Sequence, residues 1–319
     1  MATMKDVAKA ANVSIITVSR VINKPDMVKS ATRLLVEETM KKMNFLPNHA
    51  AKALAEKATR AIHLYVPEYM PISDPFIINL IAGISEELSK AYYLFLIIRE
   101  LNYNQLCDGI IVTGLRLREE SKIQKQIHVP FVLFGKSEMD IDCIDIDNVA
   151  GAEMLMDYII SKGHNKIGFI MINSDQRFAH ERFIGYKAAL AKHNIKLDEA
   201  LIRYAEHSEK DGYEKTMDLL SKEEPSAIFC CNDLIALGSF RAAAELGLSI
   251  PEDISIAGFD SLSFDLLTKV PLTTVKQPVY EAGRKLAVRL LNRIQNKNLK
   301  LEKSLIAPEL IIRESISTK

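Results

Sequence analysis

Hydrophobic and polar positions follow two different textures along this chain, and the change falls near residue 60. Beyond it, short apolar runs at 62–66, 93–98, 109–112, 131–134, 166–171, 227–231 and 254–258 read as strands. Amphipathic stretches such as 76–91 and 151–162 lie between most of them. That alternation predicts parallel sheets with helices on both faces, an α/β fold, and the length suits two open sheets. Before residue 60 the pattern is helical. Thr3 and Asp6 have capping-box spacing, Asn12-Val13-Ser14 breaks the chain and caps a second short helix, and Ser30 can cap a third. The third carries an apolar stripe of Leu34, Leu35, Val36, Met40 and Met43.

The second helix has two unlike arcs. At about 100° per residue, Thr17, Val18, Val21 and Ile22 fall between roughly 200° and 340° from Ile15. Ile15, Ile16, Ser19 and Arg20 fill the opposite arc. The first arc can pack on Val7, Ala10 and Ala11 of the preceding helix. The second has little reason to face water, but in a DNA major groove Arg20 can pair with guanine and the isoleucines can meet thymine methyls. The plainer alternative is a small helical hairpin with its isoleucines in the core.

One connection is anomalous. About ten residues separate the strands ending near Ile98 and starting near Gly109, whereas a parallel crossover takes at least about a dozen. Either a helix is absent here or residues of the native chain are missing from this sequence.

Length predicts two or three units, and 48% apolar residues can fill large cores. No long uncharged apolar run and no hydrophobic leader occur, so a cytoplasmic protein is expected. Cys107, Cys143, Cys230 and Cys231 lack metal-ligand spacing and read as buried thiols. The net charge of zero conceals an asymmetry: residues 1–60 hold 11 Lys and Arg against 5 Asp and Glu, so +6 there balances −6 elsewhere. Lys5, Lys9, Lys24, Lys29, Arg33, Lys41 and Lys42 surround the helical motif, as phosphate contacts would require. Residues 48–55 contain four alanines, with Asn48 a candidate N-cap. So short a segment has high helix propensity but is too short to persist alone.

Ligands of open parallel sheets bind beyond the carboxyl ends of strands. Asn232-Asp233 follows one apolar run, Asp260 another, Asp147-Asn148 ends an extended stretch, and Arg182 is expected at the start of the helix after 166–171. Converging carboxylates, amide and guanidinium suit adjacent sugar hydroxyls. Asp147, Asn148 and Asp233 can equally be helix caps, and Phe76, after Asp74-Pro75, can be core. No dinucleotide fingerprint, P-loop or nucleophile elbow appears, which argues against an enzyme.

The run Thr3-x-Lys-Asp-Val-Ala-x-x-Ala-x-Val-Ser14-x-x-Thr17-Val-Ser19-Arg20-Val-x-Asn23 closely resembles the amino-terminal signature of lac repressor (LacI-type) transcription regulators. Asn232-Asp-x-x-Ala-Leu-Gly238, Ile256-Ala-Gly-Phe-Asp260, Gly163-His164-x-x-Ile167, Arg182-x-x-Gly-Tyr186 and Leu272-Thr-Thr-Val-x-Gln277 are similar to its core motifs. The resemblance implies a three-helix helix-turn-helix headpiece (1–46), a hinge helix (47–60) and a two-subdomain, periplasmic-binding-protein-like core (61–319). The core would divide into 61–161 plus 278–305 and 162–277 plus 306–319. It implies a homodimeric, sugar-controlled repressor on a pseudo-palindromic operator, with no cofactor, no metal and no membrane. The expected DNA-facing set is Thr3, Lys5, Ser14, Ile15, Ile16, Thr17, Ser19, Arg20, Asn23, Lys29, Asn48, Lys52 and Leu54. Leu54 would be a minor-groove wedge, and Lys52 stands where the family more often has arginine. The expected effector set is Phe76, Asp147, Arg182, Asn232 and Asp260. Phe134-Gly-Lys136 and Leu310-Ile-Ile-Arg-Glu-Ser are similar to the maltose-responsive branch. The rival expectation is a sugar-binding protein or glycoside-processing enzyme with no DNA role.

Overall fold

A computed structural model describes residues 2–23, 25–45, 58–101, 106–261 and 268–319. The chain forms two compact units, Met1–Thr59 and Arg60–Lys319. The hinge expectations at Asn48, Lys52 and Leu54 lie outside the described residues.

The first unit contains α1 (Met4–Ala10), α2 (Ile15–Asn23) and α3 (Ser30–Lys42). Val7, Ala8, Ala11, Val18, Val21 and Val36 make its core, so one or two residues from each helix, with Ala11 at the end of α1, suffice to pin three short helices. Two expectations for α3 fail. Lys29, not Ser30, occupies the N-cap position and makes no side-chain cap bond. Leu34 and Leu35 are exposed, because only the Val36 side of α3 meets the other helices.

The second unit holds two six-stranded sheets. The first, ordered β11-β5-β4-β3-β1-β2, comprises β1 (Ala61–Tyr65), β2 (Leu94–Ile98), β3 (Gly109–Val112), β4 (Phe131–Phe134), β5 (Asp142–Ile146) and β11 (Lys303–Ile306). The second, ordered β12-β10-β9-β8-β6-β7, comprises β6 (Ile167–Ile172), β7 (Ile202–Ala205), β8 (Ala227–Cys230), β9 (Ser255–Asp260), β10 (Thr273–Lys276) and β12 (Glu309–Ile311). All pairings are parallel except β10 with β12. The helices are α4 (Pro75–Lys90), α5 (Glu120–Gln126), α6 (Asn148–Ser161), α7 (Arg177–Lys192), α8 (Glu209–Lys222), α9 (Asp233–Glu245) and α10 (Val279–Gln295).

The expected assignment of residues 61–161 to one half needs correction at its end. Ala152, Leu155, Met156 and Ile159 of α6 pack in the cluster of the second sheet, so the chain passes between halves just after β5, near Asp147. It returns after β10, where α10 joins α4 in the first cluster, and crosses again between β11 and β12. Four strands went unrecognised in the sequence. β7, β11 and β12 are short edge strands with few or no buried positions, and β10, though buried, is half threonine and stands out only as part of a motif.

No helix occurs among the described residues between β2 and β3. The effect on β2 is direct: Phe95 and Ile97 pack toward α4, while Leu94 and Leu96 on the other face are 71% and 54% exposed. All four cysteines are free and buried.

Candidate nucleic-acid surface and candidate binding cleft

In the headpiece, local hydrogen bonds fix the helix starts. Thr3 Oγ1 accepts from the Asp6 amide at 3.3 Å while Asp6 accepts from the Thr3 amide at 2.9 Å, a closed capping box. Hydrogen bonds from Thr3 hold the Asp6 carboxyl below its ordinary range. Asn12 at φ +50° makes the turn. Ser14 Oγ then accepts from the Thr17 amide at 3.0 Å, and the two hydroxyls lie 2.9 Å apart. The side chains of Thr3, Ser14 and Thr17 are thereby oriented at the two helix starts.

With its start fixed, α2 buries Val18 and Val21 and leaves Ile15 and Ile16 46% and 64% exposed, beside an exposed Arg20. The two arcs separate as the spacing predicts. Lys5 and Lys29 are exposed and Ser19 is half-buried. Asn23 ends α2, and its side chain lies outside the described residues.

In the larger unit, the carboxyl ends of both sheets line one cavity of about 450 Å³, within the usual range of small-molecule sites. Arg182 is its structural centre. It lies in the second turn of α7 rather than at the helix start, is buried, and donates to Asn148 Oδ1 at 3.0 Å and to the Cys231 carbonyl at 2.6 Å. Its guanidinium stands 3.2 Å from Asp260 Oδ1 and 3.7 Å from the centre of the Phe259 ring. Gly185 makes this reach possible: a side chain there would come within 2.4 Å of the Val149 carbonyl, holding α7 away from α6.

Asp260, at the end of β9, also accepts from Gln277 Nε2 at 2.5 Å. Burial pushes its carboxyl above the ordinary range, against the pull of Arg182. Asn232 caps α9, accepting from the Ile235 amide at 2.9 Å, and lines the cavity. Asp233, expected as the cap, instead turns inward, accepting from Thr274 Oγ1 at 2.6 Å and the Ser261 amide at 2.7 Å. Phe76 follows the Asp74 cap and meets Phe134 edge to face at 5.4 Å, both on the cavity wall.

Phe76, Arg182, Asn232 and Asp260 are thus brought together, and Asp147 is not. Asp147 caps α6 through the Ala150 amide at 3.0 Å and is absent from the cavity lining. Two residues earlier, Asp145 lines it. Its carboxylate accepts from the Lys136 amide at 2.9 Å and the Ile146 amide at 2.8 Å. Burial pushes it up to about 7, and nearby Glu181 adds to that push. An aspartate inside a strand whose every residue is buried needs a reason to be there, and that burial becomes visible only in the fold. Gln277, Lys136, Glu206 and His207 also line the cavity without having been singled out as ligands. The four cysteines take no part in it.

A capped helix pair with an exposed Arg and isoleucines on one helix fits a DNA-binding module, and a cleft of buried polar groups at the strand ends of two sheets fits a small-molecule site. The sequence matches "Bacterial regulatory proteins, lacI family" over residues 3–48 and "Periplasmic binding protein-like domain" over residues 156–316. An uncharacterized HTH-type transcriptional regulator of Bacillus subtilis, YvdE, is 39% identical over 317 residues, 99% of each chain. Two solved structures have TM-scores of 0.76. One is a complex of the transcriptional regulator CelR with cellobiose, at 27% identity over 99% of this chain and 100% of that one. The other is the lac repressor dimer bound to operator and an anti-inducer, at 25% identity over 99% of both.

The chain belongs to the lacI family, and it is a DNA-binding transcriptional regulator rather than an enzyme. The match to YvdE also bears on the short crossover. An alignment of 317 positions spanning nearly all of both chains leaves no room for an extra helix in that relative, so the shortening is shared. Among the described residues no helix is long and apolar enough to cross a membrane.

Proposed function

We propose that this regulator is a homodimeric repressor whose operator affinity is set by a sugar bound in the cleft, an α-glucoside of the maltose type. The observation that carries the reading is Asp260 paired with Arg182 and Gln277 at one strand end, with Asn232 and Asp145 on the same cavity. Such a set recognises vicinal hydroxyls, and Phe76 with Phe134 supplies an apolar wall for a ring face. Ile15, Ile16 and Arg20 read the major groove, while Lys5 and Lys29 with Ser14, Thr17, Ser19, Asn23 and Thr3 hold the phosphates. Two such helices on a palindrome require a two-fold pair. Asn48, Lys52 and Leu54 belong to a hinge that enters the minor groove between them.

Sugar binding changes the angle between the two sheets, which are joined by three chain crossings and by contacts such as Arg177 with Glu120 (3.2 Å). Coupling of about 1–3 kcal/mol is enough to shift operator affinity some 5- to 150-fold. The test is operator binding by the full chain, on a palindromic duplex selected from a random pool, with and without maltose, maltotriose or glucose. A shift in that range with one of these sugars supports the reading. An affinity that none of them moves overturns it.

A further inference from the structure

The cavity is longer than one sugar ring. Along the second sheet the lining residues Gln277, Asp260, Asn232, Asn173 and Glu206 follow β10, β9, β8, β6 and β7, which is the order of those strands across the sheet. Asp260 and Glu206 are three strand spacings apart, about 14 Å of sheet edge, whereas a pyranose ring spans roughly one spacing. The Arg182 and Asp260 cluster accounts for one ring. It leaves the ends of β6 and β7 unexplained.

Those ends are chemically equipped. Asn173 Nδ2 donates to Glu206 Oε1 at 3.1 Å, which orients a carboxylate and an amide side by side for adjacent hydroxyls. His207 lines the same cavity as Asp260, so the two stretches are continuous. Burial falls off along the line: Asn232 and Arg182 are buried, while Asn173, Glu206 and His207 are exposed. One end is enclosed by protein and the other opens to solvent.

We infer that the cleft is a two-ring site for a linear gluco-oligosaccharide, with Glu206, Asn173 and His207 holding the second ring and chain length limited only at the enclosed end. This rests on the sugar reading of the Arg182 cluster. Glu206 and Asn173 discriminate disaccharide from monosaccharide, and they leave the first ring untouched.

Calorimetry on the full chain with glucose, maltose, cellobiose and maltotriose tests this. A disaccharide should bind about ten- to hundredfold more tightly than glucose, the gain from a charge-assisted hydrogen bond to Glu206, and maltotriose should bind no worse than maltose. Glu206→Ala and Asn173→Ala should reduce disaccharide affinity toward that of glucose, with glucose affinity and the thermal midpoint unchanged. Glucose binding as tightly as both disaccharides, or Glu206→Ala weakening glucose equally, overturns the second ring site while the sugar reading stands. If none of the four sugars binds, both are overturned.

Discussion

The two working surfaces of this protein break the usual partition of residues in opposite directions. On α2 the informative residues are apolar and exposed, Ile15 and Ile16 beside Arg20. In the cleft they are polar and buried, Arg182, Asn232 and Asp145. Each departure is tolerable for a different reason. The headpiece surface costs little in water because it is small and its helix is secured from behind by Val18 and Val21. The cleft groups are held by protein partners, so that Arg182 alone satisfies Asn148, the Cys231 carbonyl and Asp260. One surface stands ready for a partner at no structural expense, whereas the other is part of what holds the fold together.

If that contrast is right, substitutions in the cleft should register in stability and those on α2 in recognition. The largest effect is expected from Arg182→Ala. It leaves the half-buried Asp260 without its cation, and the buried Asn148 and Cys231 carbonyl without their donor, and should destabilise the larger unit by about 3–5 kcal/mol, read by urea unfolding; a loss of effector response at unchanged stability would contradict it. Next is Asp145. Its folded value of about 7 lies above the ordinary 3.8, so in that window the folded chain keeps a proton that the unfolded chain has released. Stability should fall as pH rises from 5 to 7, at order 1 kcal/mol per unit, and Asp145→Asn should flatten the profile. Identical pH profiles for the two proteins would show that Asp145 does not titrate there.

Smaller changes are expected on the headpiece. Arg20→Ala should weaken the preferred operator by about 1–3 kcal/mol and relax selection at one base pair, with unfolding unaffected; equal weakening on random DNA would make it a phosphate contact. Ser14→Ala removes the Thr17 amide's acceptor and should loosen the start of α2 by about 1 kcal/mol. Amide exchange across α2 measures this, and unaltered protection would mean that tertiary packing alone holds the helix.

The same contrast explains what could be read from the sequence. The α2 surface is contiguous, so ten residues and one helical period separate its two arcs. The cleft is assembled from strand ends scattered from Tyr69 to Gln277, and a strand end is visible only where the strand is. β8 and β9 are apolar runs and exposed Asn232 and Asp260 to notice. β7, with Arg203 and Tyr204 in its middle, did not announce itself, and Glu206 and His207 went with it. Asp145 and Asp147 share one face of an extended stretch, and nothing local says which ends in the cavity and which caps α6. The family resemblance chose Asp147. Burial on both sides of β5 decides for Asp145.

The bare outer face of β2 has a consequence for handling the molecule. A strand that ends its sheet with leucines turned to water and, among the described residues, no helix laid across it is a template on which a foreign strand can add. Leu94→Lys or Leu96→Glu would place a charge on that rim, and the substituted chain should scatter less light than the unsubstituted chain at equal concentration, without losing operator binding.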